Sequence, residues 1–243
     1  MERILFYLTI FLSHIIQGVT GFAGTLLAMP FSMKLVGVGT AVPVLNGLGL
    51  ASGIYVFIGN REKVVKEEIK RVVILMIPFM ILGVYIRHTL RNDERLLQII
   101  LGIIVLIMAF KGILSLMTGK DDEDKHYPEP VMRAILMLSG VVHGMFVCGG
   151  PLLVAYMTDR IKNKDEFRAT ISTIWIILNG ILLIIQLFSG DWNKDILITQ
   201  IIALPVLFLA MYIGSILYKR MSRRTFMIIT YVLLVISGLS LLM

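Results

Sequence analysis

The sequence predicts an all-α polytopic membrane protein built from two inverted repeats, each a Gly-broken helical hairpin followed by three transmembrane helices. Three observations lead there. The 243 residues are 57% hydrophobic and only 16% charged, whereas about a quarter of a soluble domain is charged. The charges cluster, leaving uncharged stretches at 4–33, 35–60, 72–86, 96–110, 134–158, 169–190, 196–218 and 225–243. Finally, two Gly-rich segments recur in the same order in the two parts of the chain.

A helix crosses a bilayer with about 20 apolar residues, and most of the stretches are long enough. The short ones, 72–86 and 96–110, are flanked by Arg71, Arg87, Arg95 and Lys111, whose long side chains are expected to snorkel to the interface. No room remains for a separate soluble domain. The net charge of +7 sits in short loops between apolar spans. It therefore reads as a topology signal and a lipid contact, not as a nucleic-acid footprint. The single cysteine, Cys148, excludes an internal disulfide. Arg3 before an apolar run superficially suggests a leader. No small-x-small cleavage site ends that run, so it reads as mature protein.

Residues 17–27 read QGVTGFAGTLL and residues 143–153 read HGMFVCGGPLL; at an offset of 126, Gly18 meets Gly144, Gly24 meets Gly150, and Leu26–Leu27 meet Leu152–Leu153. Further on, IPFMILGVYI (77–86) resembles LPVLFLAMYI (204–213), aligning Pro78 with Pro205 and Tyr85 with Tyr212. The first repeat is thus 1–119, the polar linker 120–130 and the second repeat 131–243. A straight helix over 4–37 would measure about 50 Å, too long for one span. Gly18, Gly21, Gly24 and later Pro30 interrupt it, so two short helices meeting near the membrane centre are expected. The same holds for 131–158, broken at Cys148–Gly149–Gly150–Pro151, with Pro151 suited to the first turn of a new helix.

Charge counting favours a turn at each break. If each broken segment is one crossing, 22 Lys and Arg (leaving out Lys111) divide 10 to 12. If each enters and returns, loops 61–71, 120–133, 160–168 and 219–224 share one side and the division becomes 16 to 6, a positive-inside pattern. The halves are then inverted, with both termini outside.

Inverted repeats with discontinuous helices bind substrate between the repeats, and the N-termini of broken helices favour anions. The candidate shell is Gln17, Gly18, Thr20, Gly21, Gly24 and Thr25 from the first break, and His143, Gly144, Cys148, Gly149, Gly150 and Pro151 from the second. Close helix packing through small residues is the competing reading of each glycine. Asn46 and Asn179, on the helices after each break, join the shell; Gln186 and Gln200 read first as interhelical hydrogen bonds. His143 is a candidate carrier of a coupling proton or a neutral hydrogen-bonded residue. Arg168 reads as an anchor on the cytoplasmic side or as an attracting charge at the cavity mouth. No intramembrane acid is evident, which supports an anionic substrate over a cation. No G-x-x-x-x-G-K-[ST] occurs, and the four histidines show no metal-ligand spacing, so neither cofactor nor metal is expected. Ser139 and His143, four residues apart, are the only dyad on offer, and packing is the prior reading; no catalytic residue is assigned. The partners expected are a small anion and the bilayer, and a homodimer is left open.

At GVTGFAGTLLAMPF (18–31), GMFVCGGPLLVAYM (144–157) and KNKDEFRAT (162–170) the chain resembles the TauE/SafE family, also called the sulfite exporter or 4-toluene sulfonate uptake permease family. Size, two-part organisation and short loops agree over essentially the whole chain. The resemblance implies transport of sulfur oxyanions and organosulfonates across the cytoplasmic membrane without ATP, and gives the Gly-rich motifs and Arg168 as functional positions. Proton coupling is the default mechanism by elimination of ATP hydrolysis. An anion channel of the same architecture is the alternative.

Overall fold

The computed structural model describes residues 1–20, 23–58, 61–118, 128–218 and 223–243. Among the described residues the helices in chain order are α1 (Glu2–Thr20), α2 (Gly24–Ile58), α3 (Lys66–Thr89), α4 (Glu94–Thr118), α5 (Glu129–Phe146), α6 (Gly150–Arg160), α7 (Lys164–Phe188), α8 (Lys194–Tyr218) and α9 (Arg223–Leu242), with a 3-10 turn at Arg61–Lys63. Among the described residues every regular element is helical, the one open-ended way to satisfy backbone groups within a bilayer. Gly24–Ile58, Lys66–Thr89, Glu94–Leu114, Asp165–Phe188 and Lys194–Leu217 are long and apolar enough to cross a membrane. The linker expected at 120–130 falls mostly outside the described residues; Glu129 and Pro130 begin α5.

Packing is pairwise: α1 lies on α8, α3 on α5, α4 on α9 and α2 on α7. Phe6, Met29, Leu45, Met76, Leu97 and Phe146 are fully buried between the helices, while Leu8, Phe110, Phe188, Ile201 and Tyr212 are exposed on the perimeter, as a lipid-facing surface requires. Glycines set the closest approaches. A Cβ on Gly18 would stand 2.8 Å from Met211 O on α8, and Gly214 in turn lies against Ile15 O. On the other pair a Cβ on Gly140 would stand 2.6 Å from Met76 O, and those on Gly144 and Gly83 would overlap Met80 O and Val141 O. Helices that lack a hydrophobic drive to associate in lipid gain dispersion and weak C–H···O contact by approaching this closely.

Both long apolar runs are broken where the glycines predict. α1 stops at Thr20 and α2 starts at Gly24; α5 stops at Phe146 and α6 starts at Gly150. The limbs are unequal, unlike the paired short helices expected. α1 and α5 have 19 and 18 residues, about 28 Å each, because Gly18, Gly140 and Gly144 stay helical and serve close packing instead of breaking the chain. The second limbs are short: α6 has 11 residues, and α2 kinks at Gly37 (φ 73, ψ 165). Pro30 does not interrupt α2; it lies inside the helix, as does Pro43. Arg87 also departs from expectation. It does not snorkel but is buried, with Nη2 3.2 Å from Asp191 Oδ2 in the α7–α8 connection. Arg95 instead donates to the carbonyls of Leu241 (3.1 Å) and Leu242 (2.6 Å), the end of α9, where helix carbonyls lack partners.

Candidate functional site

The two breaks face each other across one small cavity. Gln17, Thr25 and Leu26 reach it from the first break; His143, Val147, Cys148 and Gly150 reach it from the second. Gly49, Ser52, Gly53 and Val56 of α2 and Ser172, Trp175 and Asn179 of α7 close its sides. Its volume is about 30 Å³, small for a ligand pocket. The Cys148 thiol points across to Thr25 O at 3.8 Å, joining the breaks.

Each break is held by a different device. In the first, Gln17 Nε2 donates to Ser52 Oγ at 2.6 Å, and Ser52 Oγ donates to Gly49 O at 2.9 Å. Gln17 thereby folds over the start of α2, and only a glycine at 24 leaves space for its amide. In the second, Val147 takes the left-handed conformation (φ 58, ψ 23), its N–H donating to His143 O at 2.7 Å. A β-branched residue is strained there. Ser139 Oγ donates to Gly149 O at 2.8 Å, so Ser139 serves the break and forms no dyad with His143. Gly149 lies so close to Ser139 O that an added Cβ would stand 2.5 Å away.

The first turns of α2 and α6 both open on the cavity. The earliest helix-closing bonds there are Leu27 N to Ala23 O (3.1 Å) and Leu153 N to Gly149 O (3.2 Å), leaving the N–H groups of Gly24, Thr25, Leu26, Gly150 and Leu152 outside either helical ladder. α6 has no side-chain cap at Gly149. Two helix N-termini thus add partial positive charge at one place, and none of the described residues lining it is a carboxylate. Several buried polar atoms nearby have no hydrogen-bond partner among the described residues: Gln17 Oε1, both His143 ring nitrogens, Trp175 Nε1 and Asn179 Oδ1. The His143 and Trp175 rings lie 5.2 Å apart at 33°. Orphaned groups of this kind are uncommon in folded proteins and mark a place where something else must bind or water must enter.

Of the residues expected in the shell, Gln17, Thr25, His143, Cys148, Gly150 and Asn179 line the cavity. Gly24, Gly149 and Pro151 form the break backbone behind it. Gly18 and Gly144 are turned away, into the α1–α8 and α3–α5 contacts. Each is one residue beyond a lining side chain, and one residue is about 100° of helix rotation. Asn46 sits deeper, donating to Asn179 O and to Gln186 Oε1, both at 3.1 Å. Gln200 packs against Gly47. Arg168 is exposed, one turn before Ser172 on α7. Thr20 ends α1 with its side chain undescribed, and Gly21 lies outside the described residues. Sequence reasoning missed Leu26, Gly49, Ser52, Gly53, Val56, Val147, Ser172 and Trp175, of which Ser52, Ser172 and Trp175 carry polar side-chain groups. Stepping back one and two turns from Asn179 would have found Trp175 and Ser172.

Broken helices around a polar cavity, with five helices long and apolar enough to cross a membrane, define a multi-pass helical membrane protein. The family model described as "Sulfite exporter TauE/SafE" matches residues 6–241, and the chain belongs to that family. Over 105 residues it is 28% identical to the "Probable inner membrane transporter protein TsaS" of Comamonas testosteroni, a match that spans 43% of this chain and 44% of that relative's length. Over 203 residues it is 21% identical to the "Probable sulfite/organosulfonate exporter TauE" of Cupriavidus necator, covering 82% of this chain and 77% of the relative. No solved structure matches the chain at a significant level.

Proposed function

We propose that this chain is a secondary transporter that moves sulfur-containing oxyanions, sulfite or organosulfonates, across the cytoplasmic membrane by alternating access. The observation that carries the proposal is the convergence of two helix N-termini, that of α6 without a side-chain cap, on a cavity whose described lining holds no carboxylate. The anion sits between the breaks, taking N–H groups of the first turns of α2 and α6 and donors from His143 and Trp175. The family description and the name of the Cupriavidus necator relative supply the substrate class. Residues 1–119 and 131–243 act as inverted repeats. In support, α1 packs on α8 while its counterpart α5 packs on α3, the counterpart of α8, as a two-fold relation requires.

A cavity of about 30 Å³ is far below the roughly 300 Å³ of an ordinary ligand pocket. The site must therefore widen toward one side to load, which fits a carrier better than an open channel. Proton coupling is assigned to His143, the one titratable ring on the cavity, and Arg168 attracts the anion at the mouth on its side of α7.

The test is flux of radiolabelled sulfite into proteoliposomes. The proposal expects saturation, dependence on an imposed pH gradient, and loss of that dependence in His143→Ala. Unsaturable current without coupling would support the channel. Unchanged pH-driven flux in His143→Ala would remove the proton role.

A further inference from the structure

A second cavity lies at the other end of α7, unused by the site above. Its volume is about 160 Å³, and it is lined by Val38, Gly39, Arg87, His88, Arg91, Glu94, Leu97 and Asp191. From Asn179, on the central cavity, α7 runs nine residues to its end at Phe188, about 14 Å, and Asp191 follows three residues later.

Arg87 is the informative residue. It is only 6% exposed, yet its guanidinium is half used. One nitrogen, Nη2, meets Asp191 Oδ2 at 3.2 Å, and the buried Nε has no partner. A dedicated arginine–carboxylate pair is commonly bidentate, with contacts of about 2.7–2.9 Å. His88 Nε2 stands 3.9 Å from the same carboxylate, and Arg91 is exposed at the rim. Two guanidinia four residues apart therefore face one cavity, the first bound loosely by a single carboxylate oxygen and Glu94 exposed beside them.

We infer that this cavity is a second oxyanion-binding site, in which Arg87 and Arg91 hold the ligand and Asp191 is the tethered carboxylate that occupies Arg87 when no ligand is bound. An anion with three or four oxygens spans Nε and Nη2 of Arg87 and reaches Arg91, completing the fork that Asp191 leaves unfilled. Between this site and the central cavity lies a buried amide layer, Asn46, Gln186 and Gln200, with Asn46 Oδ1, Gln186 Nε2 and Gln200 Oε1 unpartnered. That layer gives an anion leaving Arg87 a polar route along α2 and α7. The ligand class rests on the anion reading above; the site itself rests on Arg87. A free sulfur oxyanion and the phosphate of a lipid headgroup share the chemistry required.

The chain has two tryptophans, one at each place: Trp175 on the central cavity and Trp192 next to Asp191. Trp175→Phe and Trp192→Phe proteins report the two sites separately. In phosphatidylcholine nanodiscs at fixed ionic strength, sodium sulfite is expected to change Trp192 fluorescence saturably. Arg91→Gln, an exposed change that leaves the Arg87–Asp191 pair intact, should weaken that titration about tenfold, and Asp191→Asn should strengthen it about tenfold. The Trp175 titration should move less than twofold in both. A Trp192 signal that never saturates, or is indifferent to Arg91→Gln, overturns the inference; if Asp191→Asn does not fold, Arg91→Gln decides. Phosphatidylglycerol nanodiscs that produce the Trp192 change and block sulfite identify the headgroup as the ligand of this same site. A responding Trp192 with a silent Trp175 contradicts the central site and leaves this one standing; the reverse contradicts this one.

Discussion

The two helix breaks reach one cavity by different chemistry. At the first, a side chain does the work: Gln17 crosses to Ser52 and covers Gly24. At the second, a backbone turn does most of it: Val147 turns left-handed, and the Ser139 hydroxyl ties down Gly149 O. The following limbs differ too. The first continues through the kink at Gly37 into the rest of α2. The second ends at Arg160, and α7 restarts with Asn163, whose side chain accepts from the N–H groups of Asp165 and Glu166. The first break is thus a flexible amide latch on a continuous helix, whereas the second is a strained turn on a detached one. Movement that opens the cavity should be easier at the Gln17 side, where one hydrogen bond to Ser52 must be released.

The largest test of the comparison is helix contact rather than the cavity. Gly144→Val drives a side chain into Met80 O and should cost about 3 kcal/mol or more, a fall in Tm of roughly 6–12 °C at this size. Gly18→Val, with its Cβ 2.8 Å from Met211 O, should cost less; equal losses would show that the two crossings are equally tight. Next comes Ser139→Ala, which takes one of two donors from Gly149 O and leaves the Leu153 N–H; it should cost about 1.5 kcal/mol, measured by thermal unfolding in detergent. Gln17→Ala should cost only about 1 kcal/mol, since Ser52 keeps its bond to Gly49 O. If Gln17→Ala proves the more damaging, the latch is the rigid break and the comparison is inverted.

The smallest effect isolates backbone strain. At Val147, φ 58, glycine should be more stable than alanine by about 1 kcal/mol. At Gly180, where no atom lies within 4 Å of an added Cβ, alanine should equal or exceed glycine, as in an ordinary helix. The same order at both positions would remove the strain assigned to Val147.

Much of this architecture is legible in the sequence because it is local. Uncharged runs give the spans, and QGVTGFAGTLL and HGMFVCGGPLL mark both breaks to within a residue or two. Helix rotation is not so legible. Gln17 and Gly18 look equally promising in a motif, yet 100° separates a cavity-lining amide from a packing glycine. Long-range pairing is hidden as well. Arg87 looks like a snorkelling flank until Asp191, 104 residues away, is brought beside it. Ser52 reads as an ordinary small residue of an apolar helix until Gln17, 35 residues earlier, is laid across it.

The most direct test of the central claim is the thermal stability of the purified protein titrated with sodium sulfite against sodium chloride at equal ionic strength. Two helix N-termini facing a cavity without a carboxylate predict saturable stabilisation by sulfite, about 2.7 kcal/mol at 100-fold the Kd, reduced in Asn179→Leu, which removes a lining polar group. Stabilisation that follows the cation instead, or none by any sulfur oxyanion, would contradict it.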